Sequence, residues 1–201
     1  MTWIKTIPFA EAKGRLKRLY DRIKGPEDTV DNIMMAHSLR PHSMEGHMAL
    51  YKNALHHTAN TIPTWFLEVL GVYVSHLNGC AYCVDHHFAG LKRLLRDDKR
   101  AKEIKAAIVN GIPSGAFKDK ELAALLYAAK LTQNPDLLKE ADVDHLRLIG
   151  WDDGEILEIN QVVSYFAYAN RTVLGLGIST EGEPLGRSPA DSDDDKGWSH
   201  Q

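Results

Sequence analysis

Residues 63–87, with the sequence PTWFLEVLGVYVSHLNGCAYCVDHH, decide the fold class of this chain. Apolar side chains occupy nearly every side of the helix predicted to begin near Pro63, and a helix that is apolar all round is a buried helix. Asn78 and Gly79 readily adopt the left-handed conformation that ends a helix. A second helix is therefore predicted to start at or near Cys80, to continue to about Leu95 and to face the first.

The rest of the chain has the same helical spacing. Apolar residues recur at intervals of three and four, whereas alternating strand-like runs are nearly absent. These patterns predict an all-α, single-domain helical bundle over residues 1–179. Residues 180–201 are rich in Gly, Pro, Ser and Asp, which predicts a polar acidic tail. The other predicted helices are Phe9–Ile23, Asp31–Leu39, Pro41–His57, Asp98–Asn110, Asp119–Leu131, Asp142–Ile149 and a last long helix that opens with Asp152 and Glu155 as a capping box.

Charge and cysteine content narrow the class of protein. The 24 Lys and Arg residues against 27 Asp and Glu residues give a net charge of -3, and the basic residues are scattered, which disfavours a nucleic-acid partner. No signal peptide or membrane-spanning stretch is recognisable, so a cytoplasmic protein without a membrane partner is expected. The chain has only 2 cysteines, and they are three positions apart. Two cysteines so close together cannot form the disulfide framework that is typical of small secreted proteins.

The two cysteines form the candidate catalytic centre together with a histidine and a glutamate. On a helix, Cys80, Cys83 and His87 share one inward-facing side. A thiolate is the nucleophile in thiol chemistry, and a helix start and a nearby histidine both favour it. Glu68 stands on the predicted buried helix, where desolvation would favour a neutral carboxyl suited to proton transfer. A second thiol can capture a sulfenic acid as a disulfide.

The spacing of Glu68, Cys80, Cys83 and His87 resembles the pattern of the alkylhydroperoxidase D and carboxymuconolactone decarboxylase family, in its peroxidase-related branch. Asn78–Cys83 and Phe166–Arg171 resemble further motifs of that branch, and the resemblance covers about Ile7 to Gly177. One position differs, because Tyr82 stands where the alkylhydroperoxidase D archetype has a second histidine between its cysteines.

The resemblance implies an alkylhydroperoxidase D-like helical fold, a homo-oligomer (dimer, trimer or hexamer) and reduction of hydroperoxides through a Cys80–Cys83 disulfide. It implies a protein or a small thiol as reductant and requires no cofactor. When the site roles of the family are transferred to this sequence, Cys83 is the nucleophile, Cys80 is the more exposed resolving thiol and Glu68 is the proton shuttle. The order in which the two sulfurs react stays open.

Three other interpretations remain open at this stage. The same four side chains are possible zinc ligands, although a single glutamate completing such a set is unusual. A decarboxylase acting on a lactone acid would need no redox-cycling dithiol. A non-enzymatic oligomeric helical module could use the cysteines as small core residues, since cysteine is among the most buried residue types.

Other polar residues receive structural interpretations. His56 and His57 are predicted to lie at a solvated helix end, and His86 to have a structural or interface role. Asp85 should face solvent or a partner subunit. The pair Asn170–Arg171 is interpreted as a structural element of the last helix, with anchoring of a substrate anion as the alternative.

Overall fold

The computed structural model describes residues 2–25 and 28–186, and within these residues it contains helices and no β-strand. The predicted all-α class is therefore confirmed. The α-helices are α1 Gly14–Ile23, α2 Asn32–Ala36, α3 Pro41–Tyr51, α4 Thr64–Leu77, α5 Ala81–Leu95, α6 Asp98–Val109, α7 Asp119–Gln133, α8 Glu140–Ile149 and α9 Asp153–Leu176. A π-helical segment, Lys52–His56, follows α3, and 3-10 turns occupy Phe9–Glu11, Pro113–Gly115 and Pro135–Leu137.

Helix α4 lies at the centre of the bundle because its whole surface is apolar. Every residue from Phe66 to Ser75 is buried, and the main core joins α4 to side chains of α5, α6, α7 and α9. Gly71 lets Phe166 of α9 approach closely, since a Cβ atom at position 71 would meet the Phe166 ring at 2.1 Å. The predicted burial of this helix is confirmed, and the burial includes Glu68.

The N-terminal helices differ from the sequence-based prediction. The helix predicted over Phe9–Ile23 is divided, because Gly14 adopts φ +56° and separates the 3-10 turn from α1. The predicted helix Asp31–Leu39 is limited to α2. The predicted helix Pro41–His57 is continuous to His56 but changes to π-helical hydrogen bonding at Lys52.

The capping box predicted at the start of α9 is confirmed. The Glu155 amide donates to Asp152 Oδ1 at 2.8 Å, and the Asp152 amide donates to Glu155 Oε2 at 3.0 Å. Each side chain therefore satisfies an amide that the first turn of the helix leaves unpaired.

The beginning of the predicted tail lies against the helices. Asn32 Nδ2 donates to the carbonyl of Ser179 at 2.8 Å and to that of Glu181 at 3.1 Å, which draws the chain back over α2. The remainder of the predicted tail, residues 187–201, lies outside the described residues. None of the described helices has both the length and the apolar character needed to cross a membrane.

Candidate active site

The short turn between α4 and α5 places both cysteines. Gly79 adopts φ +70°, and the amide of Cys80, the residue that precedes α5, donates to the carbonyl of Ser75 at 2.8 Å. Buried Asn170 of α9 supports the turn, since its Nδ2 donates to Ser75 Oγ at 3.0 Å and its Oδ1 accepts from Asn78 Nδ2 at 2.9 Å. This geometry accords with the predicted structural role of Asn170, whereas Arg171 is exposed and donates to the Ala167 carbonyl.

The two sulfur atoms are in contact and almost completely enclosed. Cys80 Sγ and Cys83 Sγ are 2.8 Å apart, and the side chains of Ala36, Val173 and Ile178 pack around them. Cys80 has an exposed fraction of 0% and Cys83 of 3%. The expectation that Cys80 is the more exposed thiol is therefore wrong for this chain, because Cys80 sits in the turn beneath α9 while Cys83 faces a cavity.

The contact shifts the two thiols in opposite directions. The hydrogen bond between the two sulfurs lowers the pKa of Cys80, although burial opposes the shift. The same hydrogen bond, together with burial, raises the pKa of Cys83 well above the usual range of a thiol. Cys80 is therefore the more acidic of the two thiols, and Cys83 is the one that holds its proton more tightly.

Glu68 and His87 form a carboxylate–imidazole pair one helical turn from Cys83. Glu68 Oε2 lies 2.7 Å from His87 Nδ1, and the Glu68 side chain is fully buried. The ring of His87 packs edge-on against Phe166, with 4.6 Å between centroids. The structure thus brings Glu68 into direct contact with the histidine that the sequence places beside the cysteines.

His56 lies inside the site, next to Glu68. Its side chain is only 10% exposed, and its Nε2 atom lies 3.9 Å from Glu68 Oε1. The predicted solvated helix end is wrong for His56, because the π-helical turn directs it inward against the ring of Tyr51 at 4.7 Å. His57 is exposed as predicted.

A cavity of about 70 Å³ adjoins the thiol and the imidazole. This volume exceeds the space that a single buried water needs, roughly 10–15 Å³. Cys83 and His87 both line it, together with the aromatic side chains of Tyr51, Tyr82, Tyr165 and His47. Burial lowers the pKa of His47 to about 3 and raises that of Tyr165 well above its usual range, so that both are neutral near pH 7.

Tyr82 does not replace the histidine of the archetype as a base. Burial, reinforced by the charges of Glu183 and Asp31, raises its pKa well above the usual range of a phenol. Its hydroxyl accepts from the Ile33 amide at 3.2 Å, and its ring lies 4.5 Å from that of His86. Tyr82 therefore shapes the cavity wall and ties α5 to α2.

The segment 180–186 covers one side of the cavity. Glu183 Oε1 lies 3.1 Å from His86 Nε2, and Glu183 Oε2 accepts from the Asn32 amide at 2.5 Å. Gly186 lines the cavity and packs so tightly on α5 that a Cβ atom there would meet Ala89 at 2.5 Å. His86 thus anchors this segment, in keeping with its predicted structural role, while Asp85 is exposed as expected.

The four predicted zinc ligands do not form a metal site. Throughout residues 2–25 and 28–186, no group of three or more His, Cys, Asp and Glu side chains has an arrangement that could hold a metal ion. Glu68 contacts the two histidines, whereas the two sulfurs contact each other. The site is therefore divided into a sulfur pair and a carboxylate–imidazole pair.

Residues 41–130, which include all four predicted site residues, match the model of the carboxymuconolactone decarboxylase family. The resemblance predicted from the spacing of Glu68, Cys80, Cys83 and His87 is thereby confirmed. None of the curated protein sequences matches the chain.

Solved structures share the fold of this chain at low sequence identity. An alkylhydroperoxidase AhpD core, an uncharacterized peroxidase-related protein from Ralstonia eutropha JMP134, is 19% identical to this chain with a TM-score of 0.77. The aligned region covers 89% of this chain and 91% of that one. An uncharacterized peroxidase-related protein from Silicibacter sp. TM1040 is 22% identical with a TM-score of 0.76 and the same coverage of 89% and 91%. The debrominase Bmp8 is 19% identical with a TM-score of 0.68, covering 90% and 91%.

Proposed function

We propose that the protein is a thiol-dependent peroxidase that reduces hydroperoxides through a Cys80–Cys83 disulfide. The observation that carries the proposal is the contact of the two sulfurs at 2.8 Å beside a cavity that Cys83 and His87 line. The match of residues 41–130 to the carboxymuconolactone decarboxylase family model and the fold shared with peroxidase-related proteins support it. The paired thiols favour it over the decarboxylase alternative, which needs no redox-cycling dithiol.

Attack is assigned to Cys83 because it lines the cavity and Cys80 does not. Starting from two protonated thiols, one proton passes to His87, and the proton that remains can move along the sulfur–sulfur hydrogen bond to Cys80. The Cys83 thiolate then attacks the outer peroxide oxygen and the O–O bond breaks. The departing alkoxide takes the proton held by His87 and leaves as an alcohol, while Cys83 becomes a sulfenic acid.

Disulfide formation completes the oxidation. The Cys80 sulfur attacks the Cys83 sulfur, the S–O bond breaks, and the Cys80 proton accompanies hydroxide to form water. A dithiol or protein reductant then returns two electrons and two protons. A homo-oligomer and a specific protein reductant remain predictions of the resemblance.

The test is to mix reduced protein with a small alkyl hydroperoxide and to follow peroxide loss together with disulfide formation by mass. The Cys83→Ser variant should lose turnover by about 1,000-fold or more, because the attacking atom is gone. The Cys80→Ser variant should form a sulfenic acid that a dione reagent traps, without the intramolecular disulfide.

Asp85→Asn, an exposed change on the same helix, serves as the matched control and should retain the full rate. Hydroperoxide turnover at the parental rate by Cys83→Ser would refute the proposal. Stoichiometric zinc with unreactive thiols would instead support the non-enzymatic module.

A second candidate reaction is reductive dehalogenation of a small aromatic compound. A Cys→Ala variant of the debrominase Bmp8 has been solved with 2,3,4-tribromopyrrole, at 18% identity and a TM-score of 0.62 to this chain. The specific observation that favours this candidate here is the aromatic lining of the cavity by Tyr51, Tyr82 and Tyr165. Replacement of bromine by hydrogen would consume the two thiols and yield bromide, a proton and the disulfide, so bromide release by the reduced protein tests it.

A further inference from the structure

The Glu68 carboxylate has one oxygen that His87 does not use. Glu68 is 0% exposed, and its Oε1 atom has no hydrogen-bond partner among the residues that the structure describes, whereas Oε2 lies 2.7 Å from His87 Nδ1. An ionised carboxylate that is buried with incomplete hydrogen bonding is costly. The nearest ionisable side chain in an ion-pair arrangement with Oε1 is that of His56, whose Nε2 atom is 3.9 Å away.

The position of His56 depends on an irregular piece of backbone. It ends the π-helical segment Lys52–His56, and such segments occur frequently at functional sites. From there its ring packs on Tyr51 with 4.7 Å between centroids, and Tyr51 lies 6.3 Å from the ring of His87. The two histidines thus approach Glu68 from different elements, with Tyr51 beside both.

We infer that His56 is a positioning residue that fixes the Glu68 carboxylate against His87, the side chain proposed to accept a thiol proton. A shift of about 1 Å brings His56 Nε2 into hydrogen-bond range of Oε1. With both oxygens engaged, the carboxylate is held in one orientation against His87 Nδ1, which fixes the imidazole that is proposed to accept a thiol proton. His56 touches neither sulfur nor substrate and acts through Glu68.

The charged and titratable surroundings of His56 are consistent with this role. Tyr51 of α3, Glu68 of α4 and His87 of α5 face it, Tyr165 of α9 packs behind Tyr51 at 5.7 Å, and Lys52 lies on the same segment. Burial lowers the pKa of His56, the nearby charge of Glu68 partly restores it, and His87 lowers it further. At neutral pH His56 is therefore a neutral imidazole that can donate an N–H to Glu68.

The test compares His56→Phe, which removes both ring nitrogens, with His56→Gln, which keeps an N–H donor. The rate at which iodoacetamide alkylates the reduced protein is measured across pH, because this rate reports the thiolate. We expect His56→Phe to slow alkylation by about tenfold at neutral pH and to move its pH profile upward, while His56→Gln stays within about threefold of the parent. The adjacent exposed change His57→Gln is the matched control and should leave the profile unchanged.

The inference is overturned if the pH profile of alkylation in His56→Phe equals that of the parent. It is also overturned if His56→Phe and His56→Gln slow alkylation equally and neither shifts the profile along the pH axis. If His56→Phe does not fold, the His56 imidazole is titrated by NMR in the parent and in Glu68→Gln. Loss of the carboxylate charge should then lower the pKa of His56, and an identical titration overturns the inference.

The direction of proton transfer in this inference rests on the proposed function, whereas the alkylation readout needs no hydroperoxide. A protein that fails to reduce hydroperoxides but shows the His56-dependent profile would therefore refute the peroxidase proposal alone.

Discussion

The sulfur pair and the carboxylate–imidazole pair lie one helical turn apart, yet their surroundings differ. Cys80 and Cys83 are enclosed by Ala36, Val173 and Ile178 and expose at most 3% of their surface. Glu68 is equally buried, but its partner His87 keeps 15% of its side chain exposed and reaches the cavity. Cys83 and His87 thus meet at the same cavity, but the imidazole keeps the larger exposed fraction, through which protons can enter and leave.

This difference has a chemical consequence. Enclosed sulfurs in mutual contact can form a disulfide before a sulfenic acid meets further oxidant. A histidine that reaches the cavity can return its proton to a leaving group or to water. Changes to the Glu68–His87 pair should therefore alter rates and pH dependence while leaving the sulfur pair intact, and the changes below test that separation.

The largest effect is expected from Glu68→Gln. The amide keeps the size of the side chain but cannot stabilise an imidazolium on His87, so hydroperoxide reduction should fall by roughly 100-fold or more. Two free thiols should still be titrated in the reduced, denatured protein, and disulfide formation with a thiol-specific oxidant should persist. The measurement is kcat/KM with an alkyl hydroperoxide.

Glu103→Gln removes an exposed carboxylate from α6 and provides the control, with no expected change in rate. If Glu68→Gln is as active as the parent, the carboxylate–imidazole pair has no part in proton transfer.

An intermediate effect is expected from Gly71→Ala. The new methyl group would meet ring atoms of Phe166 at 2.1–2.2 Å, and Phe166 is fully buried, so the ring cannot move without disturbing its neighbours. Overpacking of this kind costs about 1–3 kcal/mol in the free energy of unfolding. Because Phe166 packs on His87, the variant should also slow proton-dependent steps, and denaturant unfolding and activity assays together check this.

Gly46→Ala in α3 is the matched change, since nothing lies within 4 Å of the position where its Cβ would be. Because alanine has a higher helix propensity than glycine, Gly46→Ala should leave the free energy of unfolding unchanged or increase it by up to about 1 kcal/mol. Equal stability of the two variants would contradict the close approach of α4 and α9.

The smallest effect is expected from Glu183→Gln. Loss of the charge weakens the contact of this nearly buried side chain with His86, whereas the glutamine oxygen can still accept from the Asn32 amide. Segment 180–186 should then open more often, and alkylation of Cys83 should be about two- to threefold faster. Site-resolved mass spectrometry after a short alkylation pulse measures the change.

The neighbouring exposed side chain Glu181 supplies the comparison, and Glu181→Gln should alkylate at the parental rate. Slower alkylation in Glu183→Gln would contradict the covering role of the segment.

Prediction from sequence succeeded where the information is local. The apolar surface of α4, the stop at Asn78–Gly79 and the capping box of α9 each follow from a few consecutive residues. Cys80, Cys83 and His87 share a face because helical periodicity places them there. The prediction was wrong for His56, since a π-helical turn shifts the direction of its side chain and the residue pattern of an α-helix carries no sign of that change.

By itself, the sequence determined the all-α class, the buried central helix and the resemblance to the family, because apolar periodicity and the spacing of four residues are properties of a linear chain. Only the tertiary structure decided that Cys83 rather than Cys80 lines the cavity, that His56 stands beside Glu68 and that Glu183 reaches His86. These contacts join residues 12 to 97 positions apart in the chain. They arise from the packing of α2, α3, α5 and α9 around α4, and no local pattern specifies which side chains such packing brings together.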